Sequence, residues 1–311
     1  MQALTLASTE NLSHEEWLNW RSKGLGGSDA PIICGLNKYK SPMELWMEKT
    51  GQLETKEAGE AAYWGNVMEP IVRAEFTKRT GLDVTPVQAI LQHPEHPFML
   101  ANLDGIVDTP EHGRGLFEAK TASAFLANEW EDRVPESYMV QVQHYLEVTG
   151  LEFAYIAVLI GGNQFKWTYI PRDDKVIKVL IQLEKHFWHQ VESKTSPCID
   201  GSRASKELLN HLYSIGDKNS KIELPEDAIS LFEEYDRAKA EEVEAVYNKE
   251  WAANKLKELL GEHEIGTVEN RKVTWKTVNS ERVNTKRLKE EKPEIYQMYL
   301  ENSTYRRFSL K

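Results

Sequence analysis

The sequence predicts a mixed α/β fold, a sheet flanked by helices, followed by a helical and β-hairpin extension. Three observations predict it. Helical patterns before residue 80 and after residue 136 bracket a run of short strand-like segments. Residues 153–160 and 165–170 alternate about Gly161-Gly162-Asn163, as a hairpin does. Beyond about residue 200 the chain turns rich in Glu, Lys and Ala and loses the strand signals.

The elements follow in order. Ser13-His14-Glu15-Glu16 reads as a capping box before the apolar positions Trp17, Leu18 and Trp20. The glycine-rich turn Gly24-Leu25-Gly26-Gly27-Ser28-Asp29 comes next. Pro42 opens a helix over 43–50, and Gly51 ends it. Residues 61–80 read as one long helix, with Val67, Ile71, Ala74 and Phe76 among its apolar positions and Gly81 beyond its end. Candidate strands cover 84–91, 98–104, 106–109 and 116–121, the last two joined by a turn at 111–115. Helices are expected over 137–148 and 173–193. The extension reads as one or two amphipathic helices over 225–260, then a small hairpin of 265–268 and 272–278 turning at Glu269-Asn270-Arg271. A core of residues 1–200 and a second module of 201–311 are therefore expected.

Composition narrows the function. With 311 residues, 41% apolar and 28% charged, the chain is ordinary for a globular protein. No apolar run approaches the roughly 20 residues of a membrane span. The first residues lack a basic flank followed by an apolar block, so no signal peptide and a cytoplasmic location are expected. Two cysteines, Cys34 and Cys198, cannot supply a four-thiolate zinc or iron–sulfur site. His93, His96 and His112 do not share one strand face with a fourth ligand and so do not compose a zinc site. The net charge of −11 argues against broad non-specific binding along duplex DNA but allows a confined basic channel.

Asp104, Glu118 and Lys120 carry the chemistry. Residues i and i+2 of a strand share a face, so Glu118 and Lys120 point together, and Asp104 ends the preceding strand alongside them. Two carboxylates suit Mg²⁺, which polarises a phosphate and activates water, and a lysine can position or deprotonate that water. By spacing alone, an acid two residues before a lysine is ordinarily a solvated charge pair. The surrounding blocks decide otherwise. Trp20-Arg21 precedes Gly26-Gly27-Ser28-Asp29. Ser41-Pro42 leads through Leu45-Trp46 to Lys49-Thr50-Gly51, and Trp64-Gly65-Asn66 to Glu69-Pro70. Asp104-Gly105, then Leu116-Phe117-Glu118-Ala119-Lys120, then Tyr138-Met139-Val140-Gln141-Val142-Gln143 complete the set.

In these six blocks, in this order, residues 12–195 resemble the YqaJ-type viral recombinase and phage lambda exonuclease family of the PD-(D/E)XK nucleases. The closing Val273-Thr274-Trp275-Lys276 and Tyr305-Arg306-Arg307-Phe308 resemble its longer YqaJ-type members. The resemblance implies a restriction-endonuclease-like core and a metal-dependent exonuclease. It would digest one strand of duplex DNA 5′ to 3′ and leave a 3′ single strand for phage-type recombination by strand annealing. Asp104, Glu118 and the Ala119 carbonyl match the metal ligands, with Glu69 completing the site, Lys120 the catalytic lysine, and Gln141 the glutamine bordering the metal. Gln141 and Tyr145 give the QxxxY spacing. Arg21 and Ser28 match residues that bind a DNA 5′-phosphate.

The chain departs from the usual Ser-Pro-Asp-Gly, reading Asn102-Leu103-Asp104-Gly105, so an Asn102 amide stands where a serine hydroxyl helps hold phosphate. The resemblance further implies Mg²⁺, with Mn²⁺ as a substitute, duplex DNA ends as substrate and a ring-shaped homotrimer. It also implies a RecT- or Red-beta-like single-strand annealing protein as partner and a phage or prophage origin. Two competitors remain: an endonuclease of the same superfamily, and a non-catalytic DNA-end-binding accessory.

Overall fold

A computed structural model describes residues 3–54, 59–217 and 220–310. The chain divides into two compact units, Met1–Leu212 and Tyr213–Lys311.

The first unit opens with β1 (Leu4–Ser8), then α1 (His14–Arg21), α2 (Ala30–Ile33), α3 (Pro42–Lys49) and α4 (Glu60–Thr80). The helix signals act as read. Ser13 and Glu16 satisfy each other's backbone N–H groups in a capping box, and Ser41 caps α3 with Pro42 at its first position. Gly81 stops α4 in the left-handed region, at φ 73°. There follow β2 (Val84–Thr85), β3 (Ala89–Gln92), β4 (Leu100–Asn102), β5 (Gly105–Thr109) and β6 (Gly113–Ala122). A 3-10 helix at Ala124–Trp130 leads to α5 (Glu136–Thr149), β7 (Phe153–Ile160), β8 (Gln164–Pro171), α6 (Asp174–Glu192) and α7 (Arg203–Leu212).

Five strands form the main sheet in the order β2-β5-β6-β7-β8. Only β6 and β7 run parallel, across the α5 crossover; the other neighbours are antiparallel. A second, three-stranded sheet has the order β1-β3-β4. Here the structure corrects the strand reading. Residues 84–91 are not one strand but two, β2 and β3, in different sheets, separated at Pro86, which has no N–H to give a ladder. The strand expected over 98–104 shortens to β4, and neither β1 nor α2 was anticipated. Asp104 therefore sits where the chain leaves the small sheet for the large one.

Two helices sandwich the main sheet. On one face α5 packs Val142, Tyr145 and Leu146 against Leu116, Ile156 and Val158. On the other, Val72 and Phe76 of α4 pack against Val107, Phe117 and Ala157. Leu116 and Phe117 thus face opposite ways, and the period of two carries Glu118 and Lys120 to the α5 side. Val67 and Ile71, though apolar, lie largely exposed on α4. A third cluster joins Leu25, Ile32, Leu45 and Trp46 to Phe187 of α6.

The second unit holds one unbroken helix, α8 (Ala228–Leu260), then β9 (Ile265–Val268), β10 (Arg271–Thr274), α9 (Thr285–Glu291) and α10 (Pro293–Met298). β9 and β10 pair antiparallel about Glu269, whose φ is 51°. The second hairpin strand ends at Thr274, short of the expected 278. Among the described residues no helix is long and apolar enough to cross a membrane.

Candidate active site

Local structure brings the sequence-read residues together from four elements. Glu118 and Lys120 lie two apart on β6, with Lys120 Nζ 2.6 Å from Glu118 Oε1. Gln141, on the buried face of α5, donates from Nε2 to the same oxygen at 2.7 Å and approaches the Tyr145 hydroxyl at 3.4 Å. Asp104, at the junction of the two sheets, accepts the Ala119 N–H on Oδ2 at 2.8 Å. Glu69 projects from α4, its Oε1 2.9 Å from Arg73 Nη1. Arg73 also donates to the Asp104 carbonyl at 2.8 Å, tying the α4 rim to the junction.

The electrostatics are those of a site that lacks positive charge. Burial first, and the Asp104 carboxylate next, push Glu118 up to about 8 although Lys120 pulls the other way. Burial raises Asp104 against the pull of Lys120, and burial with the nearby Asp104 charge raises Glu69. Burial works against the charge on Lys120, but Glu118 and Asp104 outweigh it, and the ammonium is held more firmly than in an ordinary lysine. Glu118 Oε2 is buried with no hydrogen-bond partner. Among the described residues no three His, Cys, Asp or Glu side chains form a ready-made metal cage. The donor set nevertheless fits a hard divalent cation, which ordinarily takes one or two protein carboxylates plus water and substrate oxygens. A cation would relieve the orphaned oxygen, offset the burial that raises all three carboxyls, and quench the Asp104 repulsion felt by Glu69 and Glu118.

A second charged cluster stands beside this one. Asp29 is buried and lies 3.0 Å from Lys49 Nζ and 3.4 Å from Arg21 Nη2, while its Oδ2 accepts the Gly26 N–H at 2.9 Å. Burial opposes its ionisation, yet Lys49 and then Arg21 hold its carboxyl well below the usual range. Arg21 also donates to the Ser28 hydroxyl at 2.9 Å. The Gly26-Gly27 turn makes room for these contacts. A Cβ on Gly26 would stand 2.9 Å from the Arg21 guanidinium, and one on Gly27 would stand 2.4 Å from the Tyr145 ring. Tyr145 thus bridges the clusters, touching the turn on one side and Gln141 on the other. Arg21 is partly exposed and Ser28 exposed, and the N–H groups of Ser28 and the buried Gly27 make no hydrogen bond with described residues. A guanidinium, a hydroxyl and free N–H groups at one rim are the chemistry of an anion site. Asn102, at the end of β4, makes no hydrogen bond to Arg21 or Ser28. What joins its strand to that turn is backbone pairing, Leu100 N–H to the Leu25 carbonyl at 2.8 Å.

Sequence reasoning missed several supporting groups. Arg73 stands one helical turn from Glu69, a spacing that could have announced the pair. Tyr138, with Lys120 Nζ 5.0 Å above its ring, carried no signal beyond its place in a motif. Nor did the fully buried pair of His144 and Glu184, 2.8 Å apart, whose second ring nitrogen lies 2.9 Å from the Leu100 carbonyl. That pair pins α5, which carries Gln141 and Tyr145, to α6 and β4.

Comparison with known proteins gives a consistent set of relatives. Residues 16–152 match the model of the YqaJ-like viral recombinase domain. The YqaJ protein of Bacillus subtilis is 42% identical over 315 residues, covering 100% of this chain and 98% of that protein. A protein of Acanthamoeba polyphaga mimivirus is 27% identical over 149 residues, 44% of this chain and 27% of that one. Among solved structures, the chain is similar to an alkaline exonuclease from Laribacter hongkongensis. That match has 22% identity and a TM-score of 0.48, over 65% of this chain and all of that one.

Proposed function

The chain belongs to the family of the YqaJ-like viral recombinase domain, and from that premise we propose that it is a metal-dependent deoxyribonuclease. It hydrolyses one strand of duplex DNA from a 5′ end and leaves a 3′ single strand for recombination by strand annealing. The observation that carries this reading is the convergence of Glu69, Asp104 and Glu118, all raised in pKa, around Lys120 and an unpartnered Glu118 oxygen.

Glu69, Asp104, Glu118 and the Ala119 carbonyl would hold Mg²⁺ or Mn²⁺, which supplies Lewis-acid polarisation of the phosphate and an activated water. Lys120, beside these carboxylates, would orient or deprotonate the attacking water and offset charge growing at phosphorus. Gln141 fixes the Glu118 rotamer through Oε1 and leaves Oε2 turned to the site. Arg21, Ser28 and the adjoining N–H groups receive the terminal 5′-phosphate, which sets the direction of digestion, and the Asn102 amide adds a donor on the same side. Tyr145, buried between the two clusters, sets their spacing.

The test is digestion of linear duplex labelled on one strand, with Mg²⁺. Ends bearing 5′-phosphate, ends bearing 5′-hydroxyl and a covalently closed circle are compared, with Lys120→Ala as control. Progressive loss of the 5′-phosphorylated strand, with circles spared and the control inert, is the expected result. Cleavage of circles would replace this reading with an endonuclease, and end binding without cleavage with an accessory protein.

A further inference from the structure

The charge of this chain is divided unevenly. Residues 265–311 hold eleven Lys and Arg against six Glu, a surplus of five positive charges, while the rest of the chain carries a net sixteen negative. The cations of the first unit are largely spent inside the fold. Arg21 and Lys49 face Asp29, Lys40 faces Glu48, Arg73 faces Glu69 and Lys120 faces Glu118. Those of the tail are less so: Arg287 pairs with Glu291 and Arg306 donates to the Tyr213 carbonyl, but others have no counter-charge. Lys272, Lys276, Arg282, Lys286 and Lys292 are all exposed, and none makes an ion pair with a described residue.

Aromatic side chains are interleaved with them. Trp275 is 52% exposed next to Lys276, and Tyr305 and Phe308, 77% and 75% exposed, flank Arg306 and Arg307, with the Phe308 ring edge-on to Tyr235 at 6.0 Å. Tyr299 is exposed as well, and Lys289 lies over the Tyr296 ring at 5.7 Å. Clustered like charges repel one another, and exposed rings leave apolar surface in water. A strand with a phosphate per nucleotide and an unstacked base beside it satisfies both at once. Duplex DNA satisfies only the cations, because its base faces are already stacked.

We propose that residues 265–311, the hairpin β9–β10 with the segment after it, form a second nucleic-acid site that grips single-stranded DNA by phosphate pairing and base–aromatic stacking. Only the source of that strand, the 3′ end left by resection, rests on the function proposed above. The site explains how so acidic a protein keeps hold of a polyanion: its phosphate-binding charge is concentrated in the tail and left mostly unpaired there.

The experiment uses the full chain without divalent cation, a fluorescein-labelled oligothymidylate and its duplex counterpart, and anisotropy titrations between about 50 and 200 mM salt. One variant removes charge (Lys276→Ala, Lys286→Ala and Lys289→Ala together) and another removes rings (Trp275→Ala with Phe308→Ala). The charge variant is expected to lower the slope of log affinity against log salt by about 2, near 0.7 per lost phosphate contact. The ring variant is expected to weaken single-strand binding about tenfold or more with the slope unchanged, and to leave duplex binding as it was. Circular dichroism checks that both variants keep the helical content of the unmodified chain. Unchanged single-strand affinity in both variants, or no single-strand binding by the unmodified chain at the lowest salt, would overturn the proposal. Equal loss on duplex in the ring variant would overturn the single-strand assignment. The Mg²⁺-dependent digestion of short duplex is measured in parallel. Tail binding without any digestion would count against the proposed nuclease and not against this site.

Discussion

Two buried charge clusters lie side by side in the first unit, and they are in opposite electrical states. Around Asp29 one carboxylate meets two cations and a backbone N–H, and its pKa is driven down. Around Glu118 three carboxylates face Lys120 and Arg73, their pKa values are driven up all the same, and a buried oxygen has no partner. The first has its carboxylate matched by cations and holds Arg21 at a rim, with the buried Arg21 Nε left without a hydrogen-bond partner. The second is incomplete without a positive charge from outside. Buried charge that is paired holds a fold in register, whereas buried charge that is unpaired marks a place where something binds.

The largest expected effect separates the clusters by activity. Glu118→Gln should lower the rate of duplex digestion about a thousandfold or more, in keeping with the loss of a group acting at the transition state. Release of labelled nucleotide measures it; a loss below tenfold would remove Glu118 from the site.

Stability should divide them the other way. Asp29→Ala leaves the buried Lys49 and the partly exposed Arg21 without a counter-charge and is expected to cost about 3–5 kcal/mol in urea unfolding. Glu118→Gln should stabilise the metal-free protein at neutral pH, since an amide avoids the cost of holding a proton on a carboxyl that ionises freely in the unfolded chain. Equal destabilisation by both would erase the distinction.

The pH dependence sharpens this. A carboxyl raised in the folded state binds its proton more tightly there than in the unfolded chain. Glu118 therefore contributes its full stability below its unfolded value of 4.5, and that stability is lost as pH rises to about 8. The metal-free Tm should fall across that window, and the fall should flatten in Glu118→Gln and on addition of Mg²⁺. A Tm rising with pH there would show that Glu118 ionises normally.

The smallest effect concerns the rim. Arg21→Gln should reduce the preference for 5′-phosphorylated over 5′-hydroxyl ends about tenfold, the worth of a charge-assisted hydrogen bond, and leave hydroxyl ends as they were. Equal losses on both ends would make Arg21 a structural partner of Asp29 and nothing more.

Much of this was legible in the residues, for identifiable reasons. Helix boundaries followed local chemistry: Ser13 with Glu16, Ser41 with Pro42, and Gly81 each act within a few residues of their own backbone. The shared face of Glu118 and Lys120 followed from the strand period, and the hairpin of β7 and β8 from its glycines. The break of 84–91 into two strands was not legible, because an extended backbone with an apolar pattern does not say which sheet it joins. Nor was the small sheet, in which β1 pairs with a strand some eighty residues later.

By itself, then, the sequence determined the elements and the residue types of the site, since both depend on spacings within one helix turn or one strand pleat. Only the tertiary structure decided that Asp104 falls at the junction of two sheets, that Arg73 ties Glu69 to it, and that Tyr145 spans the two clusters. It alone decided that one cluster is neutralised and the other left short of charge. Burial and the distance between charges set those states, and both are made by chain segments far apart in sequence.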